Sequence, residues 1–207
     1  MPVVKVKHWL ILVLVAMGSS ACGGVLESSR PAREVYLLQP PAIASRDTTG
    51  APRVNLVLSV TAVPGLDSDR ILVLGTDARL NPVANAHWPD HAPEVITSII
   101  RRYLSASGRF RAVQEGTLAR SGDWLLQLEL QAFYGAQDNS GATTSVLLQW
   151  EGLLHCNDQK HVLHGREKSA TQGGSLTNLV ASHQHALDSA VERLPAAIEE
   201  ACLTEIP

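Results

Sequence analysis

The sequence predicts an α+β domain: a mixed or antiparallel sheet ending in a β-meander, with two amphipathic helices packed on one face. Three observations predict it. Residues 123–134 alternate apolar and polar, and two more extended segments follow across short turn signals. Residues 95–104 and 176–201 repeat apolar residues at helical spacing. Before the first of these helices come short runs rich in branched residues, the signature of strands.

The N-terminus is a different kind of segment. Lys5 and Lys7 give a positive start, Trp9 to Met17 is an unbroken apolar run, and Gly18-Ser19-Ser20-Ala21 is a small-residue stretch. That order is a secretory signal peptide. Cys22 follows Ala21 at once, so residues 1–21 resemble a bacterial lipoprotein signal whose cysteine thiol receives lipid. Cleavage by the ordinary signal peptidase, leaving Cys22 a plain residue, is the alternative. Several acyl chains on one N-terminus hold stably, at about 0.8 kcal/mol per buried methylene. Gly23 in place of Asp resembles an outer-membrane sorting pattern. Residues 22–33 read as a tether and residues 34–207 as the domain.

Within the domain, Glu34 to Leu38 is a short extended piece closed by Gln39-Pro40-Pro41, and residues 42–52 read as a loop. Val54 to Val63 is a strand stopped by Pro64-Gly65. Arg70 to Leu74 is a second strand. Arg79 to Ala84 is a partner that Pro82 makes an edge or an irregular piece. Asp90 is positioned to cap a helix with Pro93 and Glu94 in its first turn. Val95, Ile96, Ile99, Ile100, Tyr103 and Leu104 form its apolar face, and Ser107-Gly108 ends it. Phe110 to Val113 is the next strand. In the first long strand Trp124, Leu126, Leu128, Leu130, Ala132 and Tyr134 share one face, with Leu125 and Phe133 on the other. Thr143 to His155 follows with Val146, Leu148, Trp150 and Leu154 inward. Asn157 to Lys160 is a tight connection, and His161 to Thr171 returns. Ser175 caps the last helix, where Pro195 introduces a kink or a break.

Composition narrows the function. The chain is 45% hydrophobic and 18% charged, which excludes wholesale disorder. No apolar stretch nears the roughly 20 residues of a bilayer span, so a polytopic membrane protein is excluded. The 17 basic residues face 20 acidic ones, for a net charge of −3; loss of Lys5 and Lys7 with the signal leaves 15 against 20. No basic cluster offers a nucleic-acid surface. G-x-S-x-G, P-loop, G-x-G-x-x-G and C-x-x-C motifs are absent, and neither catalysis nor a cofactor is expected.

Several residues still warrant weighing. Cys156 and Cys202 can pair in an oxidising compartment or stay as separate buried thiols. His155, His161 and His164 flank one turn and could be drawn as a Zn²⁺ site. On a strand, however, the odd spacing of His161 and His164 points them to opposite faces, and no metal is expected. Asp67, Asp69 and Asp77 read as turn residues rather than a catalytic pair or cation site. Trp88, Trp124 and Trp150 read as core or interface residues rather than a ligand cage, and His183 as a satisfied core or interface histidine on the last helix's apolar stripe.

The order of short motifs adds a resemblance. Tyr36-Leu37-Leu38-Gln39-Pro40 matches Y-x-L-x-P. Val63-Pro64-Gly65-Leu66-Asp67 and Asp69-Arg70-Ile71-Leu72-Val73 follow, then His87-Trp88, then Ser107-Gly108-Arg109-Phe110-Arg111-Ala112-Val113 on an S-G-x-F-x-x-V pattern. With the lipid cysteine, meander and C-terminal helix, this resembles the ABC-type transport auxiliary lipoprotein family from about Glu34 to Glu200. Leu74-Gly75 stands where many relatives carry Tyr-Arg. The resemblance implies a non-enzymatic lipoprotein of the outer membrane, its domain facing the periplasm. Its partners would be an MCE-domain protein and ABC transporter subunits of a lipid-trafficking system, and a homo-oligomer is compatible with it. Two other readings are a structural lipoprotein assembling another outer-membrane complex, and a periplasmic hydrolase or metal protein built on the His155 region.

Overall fold

The computed structural model describes residues 32–43 and 54–203. The signal segment, Cys22 and the tether through residue 31 lie outside the described residues, as does most of the expected 42–52 loop. The elements are β1 (Glu34–Val35), β2 (Asn55–Ala62), β3 (Arg70–Leu74), β4 (Leu80–His87), α1 (Ala92–Ser107), β5 (Ala112–Glu115), β6 (Trp124–Gln137), β7 (Thr143–Cys156), β8 (Gln159–Ala170) and α2 (Leu176–Leu203).

All eight strands form one mixed sheet with β6 as its hub. Along one edge of β6 runs β7, antiparallel, and β8 pairs beyond it. The other edge of β6 is shared. β2 lies parallel to its first half, from Leu56↔Trp124 to Ala62↔Leu130, and β3 lies parallel to its end at Val73↔Gly135 and Leu74↔Ala136. β5 then adds parallel to β2, while β4 pairs antiparallel with β3 and β1 parallel with β4. The α+β class and the meander β6–β7–β8 are as expected. β1 covers only the end of β4, at Ala86 and His87, so among the described residues the stretch around Pro82 stays an edge, as expected.

Both helices pack on one face. α1 lies over β2 and β5, and α2 over β6, β7 and β8. Ile96, Ile99 and Leu104 from α1 meet Leu187, Val191 and Ile198 from α2 in one cluster with Leu58, Leu126, Leu128, Leu130, Leu148 and Leu154 of the sheet. Burying each such side chain contributes about 1.5–3 kcal/mol. The helix-free face carries partly or fully exposed Ser59, Thr61, Gln127, Glu129, Gln131, Gln149 and Glu151.

Three local expectations need correction. The alternation in β6 does not run through to Tyr134. Leu130 pairs with Trp150 and Ala132 with Gln149, so Gln131 is an extra residue, a β-bulge. Its side chain sits on the open face, donating to Glu151 and accepting from Gln149. Past the bulge the faces exchange, and Phe133 is buried in the core while Tyr134 is only half-buried. Second, α1 begins at Ala92 with His91 as its N-cap and no side-chain cap bond; Asp90 instead accepts from the His91 amide. Third, α2 runs as a single helix through Pro195, so of the expected kink or break the break is ruled out. Its N-terminus is as expected, with the Ser175 hydroxyl accepting from the Asn178 amide at 3.2 Å.

The β7–β8 hairpin turns on Asn157 and Asp158, both at positive φ (51° and 63°), as a two-residue connection that follows the sheet twist requires. Cys156, just before the turn, is disulfide-bonded to Cys202 near the end of α2, with Cα atoms 6.0 Å apart. The Asn157 side chain donates from Nδ2 to the Cys202 carbonyl at 3.0 Å. Gly165 opposite Trp150 leaves room for the indole, since a Cβ there would fall 2.4 Å from Trp150 Cε2.

Candidate functional site

The motif-bearing segments that are far apart in sequence converge at the corner where the chain enters the domain. Tyr36 extends the β1–β4 ladder, its amide donating to the His87 carbonyl at 2.8 Å. Leu38 is buried in the core. Gln184 of α2 clamps the next residue from both sides. Its Oε1 accepts from the Gln39 amide at 2.9 Å, and its Nε2 donates to the Gln39 carbonyl at 2.8 Å. The entering strand is thus stitched to the sheet on one side and to α2 on the other.

The turn after β2 supplies the other half of the corner. Gly65 takes a positive φ of 96°, and the Leu66 amide donates to the Val63 carbonyl. The Asp69 and Ser68 carbonyls accept from the Trp88 and Ala92 amides at 2.7 and 3.0 Å, fixing the start of α1. The Asp69 carboxylate receives the Arg33 guanidinium and His87 Nδ1, the latter at 3.2 Å. Burial pushes this carboxyl upward; the His87 hydrogen bond with the Arg33 and Arg70 charges outweighs it and holds the group below its ordinary pKa. Two residues earlier, Asp67 accepts from His91 Nδ1 at 2.8 Å, and that hydrogen bond raises the histidine's pKa against a smaller opposing effect of desolvation.

Beneath the corner lies His183 of α2, fully buried. Its ring stands edge-on to Trp88 and Phe133, with centroids 5.3 and 4.9 Å away. Nδ1 donates to the Leu179 carbonyl at 2.9 Å, and burial drives the pKa down to about 4. The residue is a neutral packing element holding α2 against the His87-Trp88 segment.

The sequence candidates are distributed rather than gathered. Asp67 and Asp69 serve different partners, and Asp77 accepts from the Arg79 amide in the β3–β4 turn. His161 pairs across the sheet with Leu154, His164 with Glu151 and His155 with Lys160, which puts His161 and His164 on opposite faces. Among the described residues no group of three His, Cys, Asp or Glu side chains could hold a metal ion. Trp88, Trp124 and Trp150 are buried in the core. The last motif, Ser107 to Val113, lies at the other end of α1, where Gly108 ends the helix at φ 72° and Phe110 packs edge-on to Trp124. Arg33 and Gln184 were invisible in the sequence. Both are polar residues without local pattern, and only long-range contacts, Arg33 with Asp69 and Gln184 with Gln39, give them a role.

Chemically, this corner holds and orients. Most of its polar groups are paired with one another or with backbone, but the buried His183 Nε2 and Arg70 Nε have no hydrogen-bond partner among the described residues, so the histidine is satisfied only at Nδ1. Residues 36–194 match the sequence profile of the ABC-type transport auxiliary lipoprotein component family. Among solved structures, an uncharacterized protein is 15% identical with a TM-score of 0.65, the match covering 81% of this chain and 99% of that one. A protein from Xanthomonas campestris is 19% identical with a TM-score of 0.63, covering 78% of this chain and 92% of that one. At these identities the likeness establishes the fold. No curated protein matches. No helix among the described residues is long and apolar enough to cross a membrane.

Proposed function

Because the chain belongs to the ABC-type transport auxiliary lipoprotein component family, we propose that it is the lipid-anchored, non-enzymatic docking subunit of an ABC/MCE-type lipid-trafficking system. Lipid on Cys22 holds it at the outer membrane, and the domain faces the periplasm. There it holds an MCE-domain protein that leads back to ABC transporter subunits. The observation that carries this reading is the family match over residues 36–194, which spans α1, the first two thirds of α2 and every strand from β2 onward. Two features support it. Cys22 sits at the one position where lipoprotein processing needs a thiol. The corner that receives the tether is bound to both sheet and helix, as suits a domain worked from an anchored end.

The test is recovery from cross-linked cells. Affinity capture of the lipoprotein is expected to bring down an MCE-domain protein with its ABC components. A Cys22→Ala variant should lose palmitate label and leave the outer-membrane fraction. Capture that repeatedly yields no MCE or ABC component would overturn the transport assignment. Persistent label on the variant would overturn lipidation at Cys22.

A further inference from the structure

β8 is the outermost strand of the meander, pairing only with β7 among the described residues. Its twelve residues, Gln159–Ala170, keep an unbroken register with β7 and contain no proline. A row of backbone N–H and C=O groups therefore faces outward, a template for another strand. It lies on the opposite side of β6 from β1, the strand that follows the tether.

The charge on this strand is distinctive. Lys160, Val162, His164, Arg166 and Lys168 alternate onto the helix-free face and are exposed. Past residue 7 the chain has only two lysines, Lys160 and Lys168, and both are here. Glu167, the one acid of β8, turns to the other face and pairs with Arg193 of α2. Among the described residues no ion pair neutralises Lys160, Arg166 or Lys168. A chain of net charge −3 thus places a basic stripe along its longest free edge.

That stripe discriminates between occupants. A second copy pairing antiparallel about His164 sets Lys160 against Lys168 at both ends, and like charges directly opposite destabilise such a pair. An extended segment with Asp or Glu at alternate positions does the reverse. Its carboxylates fall beside Lys160, Arg166 and Lys168, while its backbone takes up the free edge. We propose that the outer edge of β8 receives an acidic, extended segment of a protein partner as a ninth strand. This inference does not depend on the transport assignment.

The experiment titrates the full lipoprotein, in neutral detergent, with a labelled peptide of about nine residues alternating Glu and Thr. Parallel titrations use a Lys-for-Glu peptide, the acidic peptide N-methylated along one backbone edge, and glycerol phosphate as a free lipid headgroup. Saturable binding of the acidic peptide is expected, with slowed amide exchange centred on β8. N-methylation should weaken it at least about tenfold. So should the exposed triple reversal Lys160→Glu/Arg166→Glu/Lys168→Glu, which should instead bind the Lys peptide. Four results would overturn the proposal: no saturable binding of the acidic peptide; equal binding of both charge types; affinity untouched by N-methylation; or reversal-sensitive binding of glycerol phosphate alone, which would make the stripe a headgroup site.

Discussion

His183 shows what a single residue can do to the pH response of this fold. Its ring is fully buried and neutral, with a folded pKa of about 4 against an ordinary 6.5. The unfolded chain therefore binds a proton between these values that the folded chain refuses. Stability is intact above about pH 6.5 and falls as pH drops toward 4, by about 3 kcal/mol across the window. Urea unfolding from pH 7.5 to 4 should show this loss in the native protein and a shallower one in His183→Leu. Equal slopes would remove the histidine from the account. The sequence pattern already placed His183 on the apolar stripe, because helical spacing is a local signal. Its partners Trp88 and Phe133 were not readable, since they come from a segment 95 residues earlier and from the far side of a bulge.

The elements divide by how local their causes are. β7, β8 and both helices followed from periodicity because each repeats its pattern for ten residues or more. The register of β6 did not follow, because Gln131 is polar and fits the outward phase of a simple alternation. Only the pairing with β7 shows that Ala132 resumes one step out of phase. The two readings make opposite predictions. Phe133→Ala should cost about 3–5 kcal/mol, and Tyr134→Ala about 1 kcal/mol or less. Thermal or urea unfolding of the two variants decides between them; the reverse order would restore the unbroken alternation. The strands β2 to β4 were legible one by one, with Pro82 on an uncovered edge, but their pairing order was not, because β1 is two residues long and reaches only Ala86 and His87 of β4. The same holds for the entry corner, whose members were found in the sequence as separate motifs and whose binding residues Arg33 and Gln184 were not found at all.

At the scale of the molecule, one core unites both helices with the sheet, and the Cys156–Cys202 bond fastens the end of α2 to the tip of the meander. For cysteines 46 positions apart, the chain-entropy model gives about 4 kcal/mol of stabilisation. Unfolding in a membrane-permeable reductant, or of a Cys156→Ser/Cys202→Ser variant, should show a loss of that order, while far-UV circular dichroism stays native at low urea. A midpoint that does not move would mean the core alone holds α2 in place.

That same bond makes the segment from Cys156 to Cys202, which contains β8 and α2, a closed covalent ring. Two copies of many proteins can trade a terminal element and settle as a swapped dimer. Here an exchange of β8 and α2 between intact molecules would require the ring to open and close again between chains. In an oxidising compartment an exchange hinged at the Asn157-Asp158 turn is thereby closed to the domain.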